Sequence, residues 1–183
     1  MWIAIAVLAV IALWFAMTYN GFIQGKNLVD EAFSGMDVYL KKRYDLIPNL
    51  VETVKTYMNH EQDTLTKVVS LRNQAAGATN PNDKLKAEGE LTNTLTHLFA
   101  LTESYPDLKA SEQFLSLQAD LKGLEDEISQ ARKYYNGAVK QFNVKVQSVP
   151  SNLIAGIFHF VVYPFFEVTD EAERSAVKVD FNK

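Results

Sequence analysis

The sequence predicts an all-α protein: an N-terminal transmembrane helix that continues into a long antiparallel helical bundle with coiled-coil-like packing, plus an aromatic-rich C-terminal tail. Three observations predict it. Residues 1–17 carry no polar or charged side chain. Apolar residues then recur at steps of three, four or seven, the helical period. Gly and Pro are scarce, 8 and 5 in 183 residues, which disfavours a loop-rich all-β chain. The composition, 48% hydrophobic against 22% charged, is too apolar for a disordered chain. Cysteine is absent, so disulfides, Cys-zinc sites, Fe–S clusters and thiol catalysis are excluded. A formal charge of −4 disfavours a nucleic-acid-binding surface.

The first element is the apolar run. Seventeen helical residues span about 25 Å, and extension to Ile23 gives about 34 Å, enough to cross the hydrocarbon core of a bilayer. Trp2 and Tyr19 lie near its two ends, where amphipathic rings favour the headgroup level. A secretory signal peptide fits poorly. Nothing basic precedes the run, and Ala12 and Ala16 are four apart rather than two. Residues 1–23 are therefore expected to be a single-pass anchor, residues 24–148 a soluble bundle, and residues 149–183 an aromatic segment and tail. Lys26, Lys41, Lys42 and Arg43 follow the anchor and no Lys or Arg precedes it, which by the positive-inside rule places the bundle in the cytoplasm.

The next helix is expected over 22–76, with Phe22, Val29, Phe33, Met36, Leu40, Tyr44, Ile47, Val51, Val54, Met58, Leu65 and Val68 on one face. Pro48 removes an N–H donor and clashes with the preceding turn, so a bend is expected there, with Asp45 able to cap a new helix. The clearest break is 75–82, where Asn80 reads as an N-cap and Pro81 as the first helical residue. A further helix runs to about Ser104 and stops at Tyr105-Pro106. The last long helix is bounded by Ser111 and Pro150 and holds five heptads. Phe114, Leu121, Ile128, Tyr135 and Phe142 fill one core position; Leu117, Leu124, Ala131, Ala138 and the charged exception Lys145 fill the other.

The tail differs in kind. Residues 153–168 carry one charge, Glu167, among Phe158, Phe160, Tyr163, Phe165 and Phe166. So much apolar surface must be covered, by the bundle, a neighbouring chain or the membrane interface.

Motifs for bond-making are missing. His60-Glu61 begins a zincin pattern, but Thr64 stands where the second His belongs. None of the three His has a Glu three residues before it, as di-iron bundles require. There is no glycine-rich phosphate loop and no G-x-S-x-G elbow. No catalytic residue, cofactor or metal ligand is expected. Asn20, Arg43, Asn49, Arg72, Asn136 and Asn143 fall on or near apolar faces, where buried polar groups commonly fix register and partner choice. Gly21-x-x-x-Gly25 would allow close approach of two anchors.

Several blocks resemble the LemA family: Tyr19-Asn20 after the anchor; Lys42-Arg43-Tyr44-Asp45-Leu46-Ile47-Pro48-Asn49-Leu50-Val51; His60-Glu61 and Arg72; Tyr105-Pro106-Asp107-Leu108-Lys109-Ala110; Phe114-Leu115-x-Leu117-Gln118; Ala131-Arg132-x-x-Tyr135-Asn136; Phe142-Asn143; Pro150-x-Asn152-x-Ile154-Ala155; Phe165-Phe166-Glu167; and Val179-Asp180-Phe181. The family often has Tyr where Phe142 stands. The resemblance implies a bacterial single-pass membrane protein with an antiparallel helical bundle, a relative of which takes part in forming magnetosome membranes. It implies no reaction and no catalytic set.

The function expected is a non-enzymatic, membrane-anchored scaffold or adaptor acting through self-association and through partner or membrane binding. Its partners would be the lipid bilayer, further copies of itself and an unidentified protein. The interaction and structural residues expected are Arg43, Asp45, Pro48 and Asn49 in the signature block, Tyr135, Asn136 and Asn143 on the heptad helix, and Phe158, Phe160, Phe165 and Phe166 in the tail. Arg43, Asp45 and Asn49 are expected to satisfy one another and the interrupted backbone. A sensor signalling through the Pro48 bend is the second reading, and a cryptic hydrolase the last.

Overall fold

The computed structural model describes residues 1–58 and 60–166. Glu167 and the Val179-Asp180-Phe181 block lie outside the described residues. All regular structure among the described residues is helical: α1 (Trp2–Lys55), α2 (Gln62–Gly77), α3 (Pro81–Thr102), the short α4 (Pro106–Lys109), α5 (Glu112–Gln147) and α6 (Ser151–Ile157). The chain forms two compact units, to each of which α1 and α5 contribute a segment.

Unit 1 comprises Met1–Leu40 and Glu125–Phe165. Its two long helices run antiparallel: Phe22 of α1 meets Phe142 of α5 at 6.0 Å between ring centroids, while Phe33, further along α1, meets the earlier Tyr135 at 5.7 Å. The apolar period explains the pairing, since Phe22, Val29, Ala32, Met36 and Leu40 are all buried. In contrast, the large apolar side chains of residues 1–13 are all at least half exposed. α1 is the one helix among the described residues long and apolar enough to cross a membrane, by length and composition.

Two sequence features resolve here into contacts within the chain. A Cβ on Gly25 would sit 3.1 Å from the Phe142 ring, and one on Gly21 would collide with the Lys145 ammonium. The glycine pair is thus occupied by α5 side chains, so its close approach serves this chain's own packing. Lys145, the charged heptad exception, lies with Nζ 5.3 Å from the Phe22 ring centroid, a cation–π geometry.

Among the described residues, unit 2 comprises Lys41–Leu124 and Phe166. Its core holds Tyr44, Ile47, Leu50 and Val54 of α1, Leu65, Val68 and Leu71 of α2, and Leu91, Leu95 and Leu98 of α3. α2 and α3 pack on one another across a short turn. That turn follows its sequence signals: the Asn80 side chain accepts from the Asn82 N–H at 2.9 Å, and Pro81 opens the helix. Ser111 Oγ accepts from the Phe114 N–H at 3.4 Å before α5.

The single helix expected over 22–76 is instead two. α1 continues through Pro48 for seven more residues, and no helix begins at Asp45. The break falls at 56–61, a stretch without Gly or Pro. There the Tyr57 and Met58 N–H groups both return to the Val54 carbonyl, and Met58 folds into the core. Burial accounts for the passage through Pro48. Tyr44, Ile47, Leu50 and Val54 keep one buried face across Pro48, so tertiary packing outweighs a cost of about 3 kcal/mol for an interior proline.

Candidate functional site

Two polar clusters stand out, one in each unit. In unit 2, Arg43 and Glu88 form an ion pair whose side chains are 1% and 0% exposed. Arg43 Nη2 donates to Glu88 Oε2, Arg43 Nη1 donates to Thr92 Oγ1 at 3.0 Å, and the Tyr44 hydroxyl donates to Glu88 Oε1. Neighbouring residues on α1 thus converge on both oxygens of one carboxylate from α3. Leu85, Glu88 and Leu91 share the buried face of α3 at steps of three, which is what carries Glu88 inward.

A second contact explains how α1 tolerates its proline. Pro48 has no N–H to give the Tyr44 carbonyl four residues earlier. That carbonyl accepts instead from Arg72 Nε of α2 at 3.1 Å. The guanidinium replaces the missing backbone donor, a charge-assisted bond stronger than a neutral one. Asp45, Pro48 and Asn49 face solvent. The mutual pairing expected of Arg43, Asp45 and Asn49 is therefore replaced by Arg43 on Glu88 and Arg72 on the backbone.

Glu61, the tempting half of a zincin pattern, is engaged structurally. Its Oε1 accepts from the Tyr105 hydroxyl and its Oε2 from the His60 N–H at 3.2 Å. The Glu61 carboxylate beside it raises the Tyr105 pKa. Among the described residues, no group of three or more His, Asp or Glu side chains is placed to hold a metal ion.

In unit 1 the aromatic tail folds back on its own helices. α6 ends with His159 in the left-handed region (φ 57°), the Phe158 N–H bonded to the Ile154 carbonyl and the Phe160 N–H to the Ala155 carbonyl. This is the reverse turn that ends many helices, usually with Gly at the left-handed position. It aims Phe160 onto Phe22, stacked at 4.7 Å and 13°, while Phe142 meets both rings edge-on. Such offset and edge arrangements suit the aromatic quadrupole.

Beyond the turn the chain has no regular secondary structure and is held by side chains. Asn143 Nδ2 donates to the Tyr163 carbonyl, and the Tyr163 N–H donates to Asn143 Oδ1, both at 2.8 Å. One amide thereby satisfies both backbone groups of a residue with no strand partner. The Tyr135 hydroxyl donates to the Pro164 carbonyl at 2.9 Å. Burial pushes the Tyr135 pKa up to about 12, with Tyr163 and Asp30 adding to the shift. Tyr163 is raised too, first by burial and then by Asp30, to which its hydroxyl donates at 3.4 Å. Lys26 pairs with Asp30 at 2.8 Å, and that bond raises its pKa.

The sequence-expected residues thus fall into two groups. Tyr135, Asn143 and Phe160 converge on the tail; Phe158 joins them while 42% exposed, Phe165 stays 43% exposed, Phe166 is buried and Asn136 half-buried. Arg43 enters the buried pair; Asp45, Pro48 and Asn49 do not. Glu88, Tyr44, Phe22 and Tyr163 were not singled out by sequence as site residues. For Glu88 a signal existed: a carboxylate in step with leucines.

The Arg43–Glu88 pair and the Tyr135 and Asn143 contacts fall within the span that identifies the chain, while Phe22, Lys26 and Asp30 precede it. The family model for LemA matches residues 32–181. The chain belongs to the LemA family. Among relatives of this LemA-family chain, Protein LemA of Metamycoplasma hominis is 26% identical over 140 residues, covering 74% of this chain and 63% of that protein. The chain thus spans under two thirds of that relative's length. Magnetosome protein MamQ 2 of Paramagnetospirillum magneticum is 24% identical over 191 aligned positions, covering 89% of this chain and 70% of that protein. Magnetosome protein MamQ of Magnetospirillum gryphiswaldense is 23% identical, covering 90% and 71%. None of these names is that of an enzyme. The apolar first turns of α1 and the magnetosome relatives fit a membrane anchor.

Proposed function

We propose that this LemA-family protein is a non-enzymatic scaffold. Residues 1–23 cross a membrane and present the helical units at its surface, where they associate with further copies and with a protein partner. The observation that carries the reading is how the polar side chains are used. The buried pair Arg43–Glu88 is sealed from substrate, and Arg72, Asn143 and Tyr135 are engaged with backbone carbonyls. A chain built this way invests its buried polar chemistry in holding its own backbone. Val38, Tyr134 and Val144 of unit 1 stay at least half exposed and offer apolar area for self-association. The magnetosome relatives support work at a membrane. The cationic residues after the anchor favour a cytoplasmic bundle.

Mass-resolved light scattering of the detergent-solubilised chain tests self-association. The protein mass should be a multiple of 20.6 kDa, and a monomer persisting across a wide concentration range contradicts the reading.

A further inference from the structure

The tail leaves one apolar surface uncovered. Leu153 and Ile157 of α6 are 64% and 61% exposed, and Val161 beyond the turn is 72% exposed. Phe158 and Val162 complete the patch. No Asp, Glu, Lys or Arg occurs between Lys145 and Glu167. Exposed apolar side chains gathered in one stretch without charge mark an interaction site.

Its position says what covers it. Phe158 packs on Phe15 at 5.9 Å and on Tyr19 at 4.6 Å between ring centroids. Phe15 lies in the last wholly apolar turn of α1. Thr18, Tyr19 and Asn20 are the first polar residues after it. The patch therefore sits beside α1 at the height where the apolar segment gives way to polar side chains. For a helix crossing a bilayer, that height is the boundary between acyl chains and headgroups. An aromatic, charge-free patch is suited to that layer.

From this geometry we infer that residues 153–162 form a second membrane contact, an interfacial wedge whose apolar side chains enter the bilayer next to the point where α1 leaves it. The inference rests on the anchored reading above. The wedge is prefolded, because the Asn143 bonds to Tyr163, the His159 turn and the Phe22–Phe160 stack set its shape from within unit 1. It braces the protein against the membrane and fixes the tilt at which unit 1 leaves it.

The chain has no cysteine, so single nitroxide labels can be placed in the full protein without background changes. Val161→Cys and Leu153→Cys report on the wedge. Leu8→Cys reports on the anchor and Leu115→Cys on an exposed site in unit 2. After reconstitution into phosphatidylcholine vesicles, collision with oxygen is compared with collision with a water-soluble nickel chelate. The oxygen-to-nickel ratio at Val161 and Leu153 should lie between the two reference sites, several-fold above Leu115. A ratio equal to that at Leu115, with Leu8 in hydrocarbon, overturns the wedge and leaves the anchor standing. Low access to both reagents, with dipolar broadening between labels, also overturns it and assigns the patch to a second copy. A water-like ratio at Leu8 removes the anchored reading and the wedge with it. Agreement between two labels on different elements guards against local misfolding at either one.

Discussion

The Arg43–Glu88 pair makes a quantitative prediction because both partners are sealed from water. Replacing Glu88 with Ala removes the carboxylate to which the buried Arg43 guanidinium and the Tyr44 hydroxyl both donate. Breaking a buried pair from one side costs about 3–5 kcal/mol, most of it the penalty of an uncompensated charge. Against a typical total stability of about 5–15 kcal/mol, that is a large share. At roughly 2–4 °C per kcal/mol for a chain of this size, the melting temperature should fall by at least about 6 °C. Glu88→Gln should be nearly as costly, since it keeps the shape and loses the charge. The triple variant Arg43→Met, Tyr44→Phe, Glu88→Leu should recover most of the loss, because it removes both buried charges and the hydroxyl between them together. Far-ultraviolet circular dichroism melts of the full chain in detergent measure each term. Single substitutions costing under about 1 kcal/mol would show that the pair is hydrated and the reasoning wrong. A triple variant as unstable as the single ones would show that the network supplies something other than mutual compensation.

Other perturbations follow from the same geometry. Pro48→Ala returns an N–H to the Tyr44 carbonyl and should stabilise α1 by about 1–3 kcal/mol in denaturant melts; Arg72→Ala should then cost less in that background than alone, and strict additivity would refute the shared acceptor. Asn143→Ala strands both backbone groups of Tyr163 and should cost about 2–4 kcal/mol, read as faster amide exchange at Tyr163 and quicker proteolysis of the tail; unchanged exchange there would sink the clamp. Tyr135 titrates higher folded, at about 12, than the ordinary value of 10, so its contribution is whole below pH 10 and is lost as pH rises through 12. It amounts to at most about 3 kcal/mol. In Tyr135→Phe the alkaline melt should flatten over that window and one late tyrosinate should vanish from the absorbance titration near 295 nm; an unchanged titration would refute the assignment.

What the sequence made legible was the local and the periodic. Asn80-Pro81 begins a helix because both residues act on groups within three positions. Phe114, Leu121, Ile128, Tyr135 and Phe142 are all buried because a seven-residue spacing keeps one face of a helix inward. The fold class follows from such signals, whereas composition alone left the cover of the tail open among the bundle, a neighbouring chain and the membrane interface. What stayed hidden depends on partners far along the chain. Arg43 and Glu88 are 45 residues apart, and Tyr44 and Arg72 are 28 apart, so no local pattern links them. Pro48 read as a bend because its local effect is to break a helix. The donor that offsets it arrives from α2. The break at 56–61 lacks Gly and Pro, so no local signal marks it, and Met58 within it is buried in the core.

The polar residues on apolar faces share one physical logic. Arg43, Arg72, Tyr135 and Asn143 each meet a fault in the regular backbone or a buried charge. Arg72 fills the donor vacancy of Pro48, Asn143 serves a residue without a strand partner, and Tyr135 serves the carbonyl beside it. Arg43 neutralises Glu88, and the Tyr44 hydroxyl donates to its second oxygen. Lys145, the cation in a heptad core position, lies over Phe22 where Gly21 leaves room. A leucine at any of these positions would bury as much apolar area, but it would leave a backbone group or a charge unmatched at a cost of about 1–3 kcal/mol or more. These side chains therefore make alternative registers expensive, which is the attested role of buried polar groups in helical assemblies. A chain whose polar core residues enforce one packing needs no reaction to account for them. Its long apolar first segment, its exposed apolar side chains and the stretch 146–166 without Asp, Glu, Lys or Arg are then the surfaces left for other molecules.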